Sequence, residues 1–158
     1  SRFTNIFYFF SNGVNCRLKV LKILSEIWKT GATIKRLENG ELELKVKNPI
    51  PDEVMQLATD RFAEIDDWYK SVEGSTPVEQ TMFKVYSLFC GWQRNDVINK
   101  WLCSDLESLD KVDKWIKALE CNGMKDIYED FRQYQSEESD KLANELYESA
   151  KEYVRGAK

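Results

Sequence analysis

Residues 33–54, TIKRLENGELELKVKNPIPDEV, constrain the fold more than any other stretch, because they force the chain to reverse and then to start a helix. Asn39-Gly40 between two alternating runs is a hairpin signal. A two-residue turn would turn Ile34 away from Leu44 and Val46. A three-residue loop, Glu38-Asn39-Gly40, with Gly40 left-handed in a G1 bulge, instead sets Arg36 opposite Leu42, Ile34 opposite Leu44 and Ala32 opposite Val46. This register gathers the apolar residues on one face and leaves Lys35, Glu41, Glu43, Lys45 and Lys47 in water. Pro49 and Pro51 cannot continue a ladder, whereas Pro51 suits a first helical turn whose positive end Asp52 and Glu53 complement.

Around the hairpin the apolar spacing is helical. Leu18, Leu21, Leu24, Ile27 and Trp28 recur at three and four, which predicts a helix over about residues 16–29 with Gly31 as its stop and Arg17, Lys19 and Lys22 outward. The helix begun at Pro51 carries Val54, Leu57, Ala58, Phe62, Ile65 and Trp68, with a break expected near Ala63. SVEGS, residues 71–75, reads as a linker. Thr76, Pro77 and Glu79 then form a capping box, opening a helix that is apolar on nearly every side and is expected to be central. Further helices are expected over 95–103, 106–121 and 124–154, the last bending where SEES interrupts its stripe. The fold class is therefore α+β and predominantly helical: a hairpin-containing αββα(α) module over residues 1–72, followed by an all-α bundle over 76–158.

A chain of 158 residues, 42% hydrophobic and with five Trp, can bury a substantial core. No apolar run approaches the roughly 20 residues that span a bilayer, so no membrane association is expected. The opening FTNIFYFFSNG lacks the small-residue cleavage site of a signal peptide and reads as a strand or short helix on the core. The cysteines, at 16, 90, 103 and 121, are too far apart for a CxxC or zinc-ribbon pattern. They read as small core residues, and a reducing, cytoplasmic location is expected.

The chain has no histidine, which removes the commonest general base, the usual nucleophile pairs and His-ligated metals. Asp66-Asp67, Glu129-Asp130 and Glu137-Glu138 are adjacent acids, but neighbours on a helix diverge by about 100°. With seven scattered glycines no phosphate loop is present. No catalytic residue, metal or cofactor is expected. Charge is segregated: residues 1–50 carry nine Lys and Arg against four Glu, whereas residues 51–158 carry fourteen against twenty-three acids. Trp92 and Trp101, near helix ends, are candidate surface anchors for a partner, with a core position as the alternative.

The order helix, TG, strand, NG, strand, PIPDE, helix across residues 18–70 resembles the N-terminal docking domain of hybrid polyketide and nonribosomal-peptide synthases, the tubulysin-synthase type. Leu21, Leu24, Gly31, Ile34, Asn39, Gly40, Leu42, Pro49, Pro51 and Glu53 carry the resemblance. It implies an αββαα module whose hairpin receives a short acidic tail from a partner, here reused in a protein with a helical domain after it.

The leading expectation is a non-enzymatic adaptor that binds another protein through Lys35, Arg36, Leu42, Lys45 and Lys47, by strand addition of an acidic segment. A second reading is an inhibitor from a phage or plasmid, whose acidic helical half blocks a nucleic-acid-binding enzyme or defence complex. A third is a replication accessory that binds nucleic acid through the basic front.

Overall fold

The computed structural model describes residues 19–156, so the readings of the aromatic opening, Cys16 and Arg17 lie outside the described residues. The chain forms two compact units, Ser1–Lys70 and Ser71–Lys158.

In the first unit α1 (Val20–Trp28) buries Leu21, Ile23, Leu24, Ile27 and Trp28, the stripe its spacing dictates. Ser25, also buried, donates its hydroxyl to the Lys22 carbonyl at 2.8 Å, so no polar group is stranded there. The helix ends where the Gly31 amide donates to the Trp28 carbonyl at 2.9 Å with Gly31 at φ +92°, a left-handed stop open to glycine. Asn48 seals this end by donating its side-chain amide to the Thr30 carbonyl at 2.7 Å.

Strands β1 (Thr33–Arg36) and β2 (Leu42–Lys45) pair antiparallel with Arg36 opposite Leu42 and Ile34 opposite Leu44. The loop is the bulged one: the Leu37 amide donates to the Glu41 carbonyl at 2.7 Å, the Gly40 amide to the Leu37 carbonyl at 2.9 Å, and Gly40 has φ +89°. The regular ladder stops at the Thr33–Lys45 pair, short of Ala32 and Val46. Val46, expected on the apolar face, is 59% exposed, because Pro49 and Pro51 follow too closely for the strand to be held against the core.

Helix α2 (Asp52–Asp60) and α3 (Phe62–Glu73) are separated by Arg61, whose φ of −116° leaves the helical region. The break falls two residues before the expected Ala63. It turns Phe62 outward, at 52% exposure, rather than onto the apolar face. Val54 and Ile65 are buried, and the Trp68 ring lies 5.9 Å from that of Trp28. Residues 71–73 are helical, so the expected linker shrinks to Gly74-Ser75.

The first helix that lies wholly in the second unit opens on the capping box. Thr76 accepts from the Glu79 amide at 3.1 Å and the Glu79 carboxylate accepts from the Thr76 amide at 3.1 Å. Helix α4 (Pro77–Phe89) buries Met82, Phe83, Val85 and Tyr86 but leaves Phe89 exposed. Asn95 caps α5 (Asp96–Ser104) and Asp105 caps α6 (Leu106–Cys121), each accepting from the third amide onward at 3.1 Å. Leu109, expected on the buried face of α6, stays 37% exposed while Val112, Trp115, Ala118 and Leu119 are buried.

The helix expected over 124–154 is two different structures. After Gly123, at φ +112°, the chain forms a turn in which the Glu129 carboxylate accepts from the Lys125 amide at 2.6 Å. A 3-10 turn, Phe131–Tyr134, follows, and α7 (Glu137–Gly156) begins only after it. SEES is the start of α7, not an interruption: the Ser136 amide donates to Ser139 Oγ at 2.8 Å and the Ser139 amide to Ser136 Oγ at 3.2 Å, a reciprocal cap with serine in both places. The 3-10 turn drives Phe131, 1% exposed, against Phe83, Trp115 and Tyr86 at ring separations of 4.5, 5.1 and 6.1 Å. Among the described residues no helix is long and apolar enough to cross a membrane.

Candidate partner-binding site

The hairpin's cross-strand pairs sort its side chains. Thr33, Lys35, Glu43 and Lys45 share one face; Ile34, Arg36, Leu42 and Leu44 share the other. Lys35, Lys45 and Lys47 are exposed. Lys35 stands directly opposite Glu43, and the Lys45 ammonium lies 3.8 Å from the same carboxylate, so the outer face is a lysine–glutamate–lysine ladder with a small positive excess. Lys47 lies beyond the strand and folds back: a Cβ on Gly31 would come within 3.1 Å of its Cδ.

Arg36 is not part of that face. Its guanidinium donates to the Gly40 carbonyl at 2.7 Å and to Asp66 at 2.9 Å, tying the loop of the hairpin to α3. Hydrogen bonds from Lys70 and then from Arg36 hold the Asp66 carboxyl below its usual range. Arg36 is thus a structural residue of the first unit, because its strand position turns it inward. Leu42, beside it, is half-buried.

The ladder also fixes where the backbone points. With the Leu37 amide bonded to the Glu41 carbonyl, alternation makes 35–43 and 33–45 the hydrogen-bonded pairs, so the amides and carbonyls of Leu42 and Leu44 point away from β1. Among the described residues the sheet has two strands, and nothing pairs with that outer edge of β2.

Trp92 and Trp101, read as candidate anchors, are 1% and 2% exposed and belong to the core of the second unit. Trp92 packs edge-on to Tyr86 at 5.5 Å and stacks on Tyr128 at 5.9 Å. The cysteines differ from expectation in the other direction: Cys103 and Cys121 are exposed and Cys90 is half-buried, since all three fall at or beyond the last turns of their helices.

Of the adjacent acids, Glu129 and Asp130 are both engaged. Glu129 accepts from the Tyr134 hydroxyl at 2.9 Å, and Asp130 binds Arg132 through both oxygens. Among the described residues no group of Cys, Asp and Glu is arranged to hold a metal. Two carboxylates converge without being adjacent in sequence: Glu79 and Asp140 line a recess of about 320 Å³ beside Trp115 and Phe131. Asp140 is exposed at the mouth of the recess, but partial desolvation there pushes its pKa up, and the charge of Glu79 adds to the shift; for Glu79 desolvation works upward too, but hydrogen bonds from Thr76 and Gln135 outweigh it and leave its pKa lowered. Glu79 is already committed to its cap and to Gln135 at 2.9 Å. A larger groove of about 530 Å³ between α4, α5 and α7 was not foreseen. Its signal in the sequence is the continuation of the α7 stripe into Ala150 and Val154.

No family model matches the chain, and neither the curated proteins nor the solved structures contain a match to it.

Proposed function

We propose that the chain is a non-enzymatic protein-interaction module in which the outer edge of β2 accepts a strand from a partner protein. The observation that carries this reading is the outward row of Leu42 and Leu44 backbone groups, flanked by Lys45 and Lys47. An unpaired edge is a ready template for strand addition, and lysines beside it favour an acidic segment while discouraging unspecific pairing. The resemblance of residues 18–70 to a docking domain that receives an acidic tail points the same way. The alternative of an acidic helical half acting as a nucleic-acid mimic loses support on α6, where Glu107, Asp110 and Asp113 pair with Lys111, Lys114 and Lys117.

The test is capture of partners from the native host by the tagged chain with nuclease present, repeated with Val46→Pro. Val46 continues the outer edge and is exposed, so proline removes an outward donor without a core change. A protein retained by the wild type and lost by Val46→Pro and by Lys35→Glu/Lys45→Glu/Lys47→Glu supports the site. Retention by both variants rejects it. Binding that disappears with nuclease moves the basic front to nucleic acid.

A further inference from the structure

The apolar stripe of α7 is longer than the surface that covers it. Ser139, Ala143 and Leu146 are buried, but the same three-and-four spacing continues through Ala150 to Val154, and Val154 is 54% exposed. Facing this uncovered end across the groove is Val97 of α5, 58% exposed, with Trp101 and Ile98 buried beneath it. From Tyr147 to Arg155 the groove follows α7 for about 12 Å at 1.5 Å per residue. Its volume, about 530 Å³, lies within the ~300–1,000 Å³ range of ligand pockets.

The charge around the groove runs against that of its unit. Residues 71–158 carry twelve Lys and Arg against seventeen acids, yet the groove is lined by Lys84, Lys151 and Arg155 and by no carboxylate. Lys151 lies over the Tyr147 ring at 4.6 Å and reaches Glu148 at 3.0 Å. Lys84 is exposed on α4 and Arg155 is exposed in the last turn of α7. A helical apolar stripe is the complement of another helix, and a lining whose only charged members are cations, two of them, Lys84 and Arg155, exposed, selects an acidic one.

We infer that the groove between α4, α5 and α7 binds an acidic amphipathic helix of a partner protein, its apolar face on Val97, Ala150 and Val154 over the buried Trp101 and its carboxylates on Lys84 and Arg155. This site is separate from the β2 edge and stands or falls independently of it.

The experiment is selection of a random peptide display library against the full chain, followed by titration of the enriched peptides into ¹⁵N-labelled protein. The expected peptides carry Asp or Glu with apolar residues at helical spacing and shift the amides of Val97, Tyr147 and Val154. Val154→Asp, on an exposed side chain, and Lys84→Glu/Arg155→Glu then each weaken binding by about tenfold, with unchanged melting temperature as the control for folding. No enrichment, enrichment of basic or uncharged peptides, or affinities unchanged in both variants overturns the inference. So does a concentration-dependent dimer dissolved by Val154→Asp, which would make a second copy of the chain the occupant.

Discussion

Arg36 in β1 and Asp66 in α3 are 30 residues apart in sequence and joined at 2.9 Å, with Lys70 on the other oxygen of the carboxylate at 3.0 Å. The hairpin is thereby tethered to a helix. Because the Asp66 pKa is lowered in the fold, chiefly by Lys70 and then by Arg36, the folded chain binds fewer protons there than the unfolded one. The stabilisation is present above the unfolded carboxylate pKa and is lost as pH falls through the lower folded value. Asp66→Asn is expected to destabilise the first unit near neutral pH, with the gap to wild type closing well below pH 3.8. Urea titrations of both proteins at the two pH values check this; a gap that is constant with pH would show that Asp66 acts by packing.

Gly40 sits at φ +89° with open space where a Cβ would project. The cost of a side chain there is conformational only. Gly40→Ala is expected to lose about 1–2 kcal/mol, and Gly40→Asn less, because Asn tolerates the left-handed region. Equilibrium denaturation measures both, and an alanine variant as stable as wild type would contradict the bulged loop.

What was legible in the sequence was whatever local chemistry decides. Asn39-Gly40 and the alternation around it fixed the hairpin's register; Thr76, Pro77 and Glu79 marked a helix start to the residue. Tertiary partners were not legible. Arg36 looked like one more exposed cation because its partner, Asp66, lies in another element, and nothing in the spacing says that an inward arginine will be met by a carboxylate. SEES was misjudged because polar residues within an apolar stripe resemble a bend, although two serines three apart can cap each other. The groove was not legible because a stripe continuing into Ala150 and Val154 does not say what covers it; whether Val154 is covered depends on where α5 begins, at Asp96 and Val97.

The capping box gives a separable pair of effects. Thr76→Ala removes the acceptor for the Glu79 amide and is expected to cost about 1 kcal/mol. Glu79→Gln keeps a side chain able to close the box but removes the charge facing Asp140. The Asp140 pKa should then fall, while remaining above the ordinary aspartate value because desolvation is its larger cause. Carboxyl-detected NMR titration reads this directly, and an unmoved Asp140 would mean that Glu79 does not act on it through charge.

Phe131 is the test of the segment that sequence periodicity misread as helix. A short 3-10 turn has little intrinsic stability, so Phe131–Tyr134 must be held by what it buries. Asp130 orders it locally, accepting from the Arg132 amide at 3.0 Å and from the Arg132 guanidinium through both oxygens, but side-chain bonds of this kind contribute only about 1 kcal/mol each. The larger share falls to the Phe131 ring, which meets Phe83, Tyr86 and Trp115. Phe131→Ala is expected to cost about 3–5 kcal/mol through lost burial and the cavity left among these rings, and to raise amide exchange across 124–136 more than across α4. Phe131→Leu, which refills part of the volume, should recover most of the stability and restore protection. Were the alanine variant to lose less than about 1 kcal/mol, the turn would be held by its hydrogen bonds, and Asp130→Ala would then become the more damaging substitution.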